Sequence, residues 1–225
     1  MTRPKPAVRI FYACGRRPGE TGLPNFKREF GIMKQNNIRI ICEAAVLMAL
    51  AQILSYIKLY EFPNGGSIDC AMIPIILFAV RYGAGWGTGV GFVYGAMQYF
   101  FANGISIDWT TIICDYFIAY ALLGLGAGLF HGRKYGVYYG TLCGGFLRFL
   151  AHLAVGAIVW GKYMPPEFFG ITMTNPWFYS LLYNGSYMLP DILICGVIFA
   201  LLYRPLRKYF TCADLRAVQT QTKNA

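Results

Sequence analysis

Hydrophobic and polar positions along this chain fall into long blocks, with neither the alternation of a strand nor the one-sided stripe of a surface helix. Six predominantly apolar segments, at 38–60, 70–82, 86–102, 109–130, 135–160 and 177–203, are separated by loops rich in Pro, Gly, Asn and charge. A helix needs roughly 20 apolar residues to cross a bilayer. The pattern therefore predicts an all-α membrane protein with six transmembrane helices, the segment at 70–82 being short for a full crossing. Residues 1–36 are basic, rich in Pro and Gly and without period, and predict a poorly ordered cytoplasmic arm. Met33, opening MKQNNIRI, reads as a natural alternative start, which N-terminal sequencing of native protein would test. Residues 37–208 form the six-helix membrane domain, and 209–225 a polar, basic cytoplasmic tail.

Composition agrees. At 56% hydrophobic, 17% aromatic and 13% charged residues, the chain lacks the polar surface of a soluble domain. The net charge of +10 would suit nucleic acid, but its distribution argues otherwise. Lys34, Arg39, Arg81, Arg133, Lys134, Arg204, Arg207 and Lys208 all fall on one side of the six segments. The opposite loops hold Lys58 and Lys162 against Glu61, Asp69, Asp108 and Glu167. By the positive-inside rule this places both termini in the cytoplasm. The seven cysteines are scattered and form no CxxC, so neither a disulfide framework nor a metal site is expected.

Two glycine series, Gly83, Gly87, Gly91 and Gly95, then Gly136, Gly140 and Gly144, repeat every fourth residue. They predict faces for close helix packing, since a dinucleotide loop needs another register. GAIVWGKY at 156–163 matches GxxxxGK in form, but without the Ser or Thr that holds magnesium or a preceding strand. Energy for any active transport would then have to come from a partner. Ala45 and Ala49, with Ala51 nearby, fit ordinary helix packing or a smooth stripe for a second membrane protein.

The informative residues are the few polar ones inside apolar segments. Asp115, His152 and Asn184 each lie some way in from the outer ends of three segments, at a depth of roughly 10–13 Å for 1.5 Å rise per residue. His152, Gly156 and Trp160 share a helical face at i, i+4 and i+8, with Tyr179 and Asn184 across the following loop. Intramembrane polar groups are costly, and their convergence predicts a pocket for a flat polar heterocycle. Asp115, beside Tyr116, would serve as counter-ion for a cationic, amino-bearing ligand, and Trp160 as a stacking face. Arg148 and Asp191, near mid-membrane, are expected to face inward and to pair, and Pro190 to kink its helix. An intramembrane enzyme using His152 and Asp115 as acid and base would want a nucleophile or a second histidine at that depth, and His131 lies at the other end. A binder is expected, with no catalytic residue and no metal.

Five stretches then carry a resemblance: FPNGGSI at 62–68, AMIPI at 71–75, DYFIAYALLGLGAGLF at 115–130, HLAVGAIVW at 152–160 and YSLLYNGSYMLP at 179–190. In this order they resemble the thiamine-specific S component (ThiT type) of the energy-coupling factor transporters, over about residues 38–208. The resemblance implies a multi-pass protein of a bacterial plasma membrane that captures thiamine near the outer face. His152, Gly156, Trp160, Tyr179 and Asn184 would match the binding residues, and Asp115 with Tyr116 the acidic–aromatic pair. Phe62 or Tyr60 would supply an aromatic cap from the first outer loop. Ala45 and Ala49 would face a transmembrane coupling protein, with two ATP-binding cassette ATPases as further separate partners. No cofactor is implied, since thiamine is the transported ligand. Another vitamin, or a thiamine precursor, is the alternative ligand on the same architecture.

Overall fold

The computed structural model of the chain describes residues 26–63, 65–101 and 106–215. Helix α1 (Phe26–Tyr56) leads into a small antiparallel hairpin, β1 (Tyr60–Glu61) with β2 (Ser67–Ile68), in which Tyr60 pairs with Ile68. Helices α2 (Met72–Tyr82) and α3 (Ala84–Phe101) follow. A continuous helical rod comes next: α4 (Trp109–Thr111), a π-helical segment (Ile112–Ile118) and α5 (Ala119–Gly128). Helix α6 (Gly136–Ile158), a 3₁₀ turn (Trp160–Tyr163) and a second hairpin, β3 (Glu167–Phe168) with β4 (Ile171–Thr172), precede α7 (Pro176–Tyr203) and the short α8 (Arg207–Phe210).

Asn37–Tyr56, Trp109–Gly128, Gly136–Ile158 and Pro176–Tyr203 are long and apolar enough to cross a membrane. The others fall short for distinct reasons. Helix α2 has 11 residues, and its side chains from Met72 to Arg81 are almost wholly buried, so it is the apolar peg at the centre of the core. Helix α3 dilutes its apolar residues with glycine, Tyr94, Gln98 and Tyr99.

Several boundaries differ from those expected. Residues 26–36, assigned to a poorly ordered arm, are helical, and the first helix stops at Tyr56. The run FKREFGIMKQ supplies helix-favouring residues on the near side, and the pairing of Tyr60 in β1 ends the helix on the far side. Residues 1–25 lie outside those described. The tail does not begin as a free segment: Phe210 and Cys212 are buried, Phe210 against Phe199 and Tyr203. Helix α7 runs through Pro190 without interruption.

The glycine series explains how α3 reaches α5. A Cβ at Gly87, Gly91 or Gly95 would stand 2.6, 2.1 or 2.4 Å from the carbonyl oxygens of Gly124, Tyr120 and Tyr116. At such separation only a hydrogen fits. Gly144 of α6 approaches the Leu123 carbonyl in the same way.

At the α8 end of the bundle, Arg81 closes α2 with its guanidinium buried to 1% exposure. Its Nε pairs with Glu43 of α1 at 2.7 Å, its terminal nitrogens hold both oxygens of Asp214, and its plane lies 3.6 Å from the Tyr209 ring centre. The hydroxyls of Tyr82 and Tyr209 both donate to Glu43. This clasp ties α1, α2 and the segment after α7 together.

Candidate functional site

At the opposite end lies a cavity of about 130 Å³, walled by the π-helical segment, α6, the 3₁₀ turn, α7 and the β1–β2 hairpin. All seven residues singled out in the sequence line it: Asp115, Tyr116, His152, Gly156, Trp160, Tyr179 and Asn184.

Asp115 sits in the π segment, where the wider turn inserts one residue into the helical register and re-aims the side chains that follow. One of its oxygens meets His152 Nδ1 at 3.0 Å, and the other accepts the Trp160 indole N–H at 3.2 Å. A carboxylate can only accept, so Nδ1 carries the hydrogen and Nε2 faces the remaining surroundings. That Nε2 is buried and has no partner among the described residues. Trp160 reaches Asp115 because α6 ends at Ile158 and the 3₁₀ turn tightens the next residues.

On α7 the polar side chains are locked by one another. The Asn184 amide nitrogen donates to the Ser180 carbonyl at 2.9 Å and to the His152 carbonyl at 3.3 Å, and its oxygen accepts from the Tyr187 hydroxyl at 2.6 Å. Ser180 in turn donates to the Leu153 carbonyl across the α6–α7 seam. Gly156 makes this seam possible: a Cβ there would meet Ser180 Oγ at 2.3 Å and Asn184 Nδ2 at 3.0 Å. Tyr179, Tyr183 and Tyr187, one turn apart, form an aromatic wall with ring centres 5.8 Å apart at each step.

Apart from Arg148, the other lining residues carried no expectation. The hairpin contributes Gly65, Gly66 and Ser67 rather than an aromatic ring. Phe62 is instead buried beneath it against Tyr183, and Tyr60 packs on Phe62, so neither expected cap lines the cavity. The hairpin is pinned to α7 by the Gly66 N–H on the Tyr183 hydroxyl at 3.1 Å and the Asp69 N–H on Asp191 at 3.0 Å. Ser55, Gln98, Tyr120 and Arg148 also line the cavity, as do Lys58 and Glu61, which pair with each other at 2.7 Å. The expected Arg148–Asp191 pair does not form. Arg148 donates to the Tyr120 hydroxyl at 3.1 Å with its guanidinium over that ring, while Asp191, at 2% exposure, is taken by the hairpin backbone. Ala45 and Ala49 lie on the exposed side of α1, whereas Ala51 is fully buried and accepts from the Tyr94 hydroxyl.

The cavity thus offers the Asp115 carboxylate, an imidazole nitrogen in need of a partner, an indole, a tyrosine wall, a glycine-lined flap, the Arg148 guanidinium and the Lys58–Glu61 ion pair. Such a set presents negative charge, a hydrogen-bond acceptor and aromatic faces toward one space.

Comparison with known proteins places these features in a family. Residues 41–211 match the family model described as thiamine transporter protein (Thia_YuaJ). The thiamine transporter ThiT of Bacillus subtilis (strain 168) is 32% identical over 181 residues, covering 74% of this chain and 90% of the relative. The thiamine transporter ThiT of Lacticaseibacillus paracasei is 25% identical over 205 residues, covering 84% of this chain and 99% of the relative. A solved structure of ThiT from Listeria monocytogenes superposes with a TM-score of 0.69 at 22% identity, covering 78% of this chain and 98% of that one, and so shares the fold. With its apolar helices, the chain is a multi-pass protein of the bacterial cell membrane, and its relatives are transporters rather than enzymes. The match over residues 41–211 and the relative sharing 32% identity show that the chain belongs to the thiamine transporter protein family, as a ThiT-type S component.

Proposed function

We propose that the chain captures thiamine in this cavity and delivers it through an energy-coupling factor transporter, whose coupling protein and two ATP-binding cassette ATPases are separate chains. The observation that carries the proposal is the Asp115 carboxylate bridged between His152 and Trp160 on the cavity wall. Thiamine joins an aminopyrimidine to a permanently cationic thiazolium. A carboxylate and the faces of Trp160, Tyr116 and Tyr179 suit that cation. The pyrimidine amino group can donate to His152 Nε2 or to the second lone pair of the Asn184 oxygen. Gly156 keeps α6 close enough to α7 for both to reach one ligand.

Membrane topology in this proposal has six crossings, with α2 and α3 completing the set and both termini cytoplasmic, supported by the one-sided distribution of Lys and Arg. The exposed Ala45–Ala49 side of α1 is the surface offered to the coupling protein.

Titration of detergent-purified protein with thiamine, followed by intrinsic tryptophan emission, tests ligand capture. Quenching at micromolar thiamine is expected; folded protein with an unchanged spectrum counts against the proposal. Trp160→Ala removes a stacking and cation–π partner worth about 0.5–2 kcal/mol, roughly a two- to thirtyfold loss of affinity. Asn184→Ala, which also frees Ser180 and Tyr187, weakens binding at least as much. Unchanged affinity in both variants would move the site elsewhere. One observation favours a phosphate ester of thiamine as a second ligand: Arg148 lines the same cavity and makes no ion pair among the described residues. Competition between thiamine and its monophosphate, in wild type and Arg148→Gln, separates the two.

A further inference from the structure

Away from the cavity, the α8 end of the bundle carries a surface of different chemistry. There the loop after α5 meets the segment after α7 through aromatic rings. Tyr203 donates its hydroxyl to the Lys134 carbonyl and stacks on Tyr135 (ring centres 5.7 Å apart, planes at 23°) and on Phe210 (5.8 Å, 9°). This docking sets the Arg133–Lys134 loop against the end of α7, so that these cations share one end of the bundle with Arg204, Arg207 and Lys208, some seventy positions away in sequence. All of them are exposed, and none forms an ion pair among the described residues. The acidic groups of this end, Glu43 and Asp214, are already committed to Arg81 and Arg39.

We propose that this basic patch is a binding site for the headgroup of an anionic phospholipid. The cations alone would suit any polyanion; their surroundings select a lipid. The patch borders exposed apolar side chains at the same end of α6 and α7, Tyr139 and Leu142 on one and Leu201 and Leu202 on the other. In a membrane protein such rows face acyl chains. A headgroup phosphate on the cations therefore leaves its chains alongside surface that already wants them. Tyr135 and Tyr203 stand between the charged and apolar zones, as amphipathic rings do at a membrane boundary. Arg133 and Lys134 are held over the Phe130 and Tyr135 rings, which limits the freedom they lose on binding. A soluble acidic protein would meet the charges but gain nothing from the aliphatic rows. Compensation of a helix C-terminus accounts for Arg204 at the end of α7, and the positive-inside rule for the side on which all five cations lie, but neither requires the aromatic docking that gathers them at one apolar border.

The test uses the full chain in detergent, with its thermal midpoint and native mass spectrum recorded after addition of phosphatidylglycerol or phosphatidylcholine. Phosphatidylglycerol is expected to raise the midpoint and remain bound, phosphatidylcholine to do neither, and high salt to abolish the difference. Combining Arg133→Gln, Lys134→Gln, Arg204→Gln, Arg207→Gln and Lys208→Gln is expected to weaken phosphatidylglycerol binding by about tenfold or more. Arg133→Lys with Arg204→Lys and Arg207→Lys, which keeps the charge, retains it. Lys162→Gln, at the other end of α6, leaves it unchanged. Should the fivefold variant not fold, Arg207→Gln with Lys208→Gln on the exposed α8 is expected to give a partial loss. Equal response to both lipids, or an undiminished phosphatidylglycerol response in the neutralised variants, overturns the proposal.

Discussion

Asp115 uses one oxygen for His152 and the other for Trp160, and both partners line the cavity that it serves. An ionised carboxylate has about four lone-pair sites, so two remain for a ligand. Asp115→Asn keeps the shape but replaces one acceptor oxygen with an NH₂ that must face either the imidazole N–H or the indole N–H. A charge-assisted hydrogen bond is worth about 1.5–3 kcal/mol; the expected loss of thiamine affinity is therefore roughly ten- to a hundredfold, measured by fluorescence titration. Asp115→Glu, which preserves the charge, is expected to retain more binding, and equal affinity of wild type and Asp115→Asn would remove the carboxylate from the site. This part of the site was legible because a polar side chain in an apolar segment is rare and has to be explained. The hairpin's share was not legible. Gly65 and Gly66 reach the cavity through turn geometry, and apolar patterning carries no trace of that. Arg148 and Asp191 misled for a related reason: equal depth made them natural partners, but an unpaired backbone N–H of Asp69 reached Asp191 first.

Helices were found in the sequence by their apolar length, and length says little about how closely two of them pack. The register of the glycines says more. Gly91 faces the Tyr120 carbonyl so closely that a Cβ would stand at 2.1 Å, whereas a Cβ on neighbouring Gly89 would meet nothing within 4 Å. Gly91→Ala is therefore expected to push α3 from α5 and destabilise the protein by about 1–3 kcal/mol, the usual cost of overpacking. Gly89→Ala should be neutral or slightly stabilising, because alanine is the better helix former. Thermal unfolding in detergent compares the two, and a similar midpoint for both would mean that the α3–α5 contact can relax. The π segment, by contrast, escaped the sequence. One extra residue per turn leaves the apolar composition of 109–130 unchanged, yet Asp115 sits inside it and the carbonyl of Tyr116, also in it, is what Gly95 packs against.

At the scale of the whole molecule, cavity and clasp sit at opposite ends of one bundle, and the clasp joins the segment after α7 to α1 and α2. Its parts are far apart in sequence, Glu43, Arg81, Tyr209 and Asp214, and charge patterning alone marks Arg81 only as a topology signal. Arg81 is too deeply buried to remain unpaired, since an isolated charge removed from water is costly. The Arg81 hydrogen bond holds the Asp214 carboxyl below the usual carboxylate range. A group with a depressed folded value contributes stability that is present above its unfolded value and lost as pH falls through the folded one. With an ordinary aspartate titrating at about 3.9, clasp stability is complete at neutral pH and declines below that value. The tail should then become accessible to acid-tolerant proteases in wild type as the pH drops. Asp214→Asn removes the titrating group while keeping the shape, so the tail is expected to be loosened already at neutral pH, with a flatter response to acid. Trypsin cleavage after Arg207 and Lys208 at neutral pH reads the first effect, and the pH dependence of the thermal midpoint reads the second. If Asp214→Asn cuts no faster than wild type and follows the same acid profile, the tail is held by the burial of Phe210 and Cys212 rather than by the charges around Arg81.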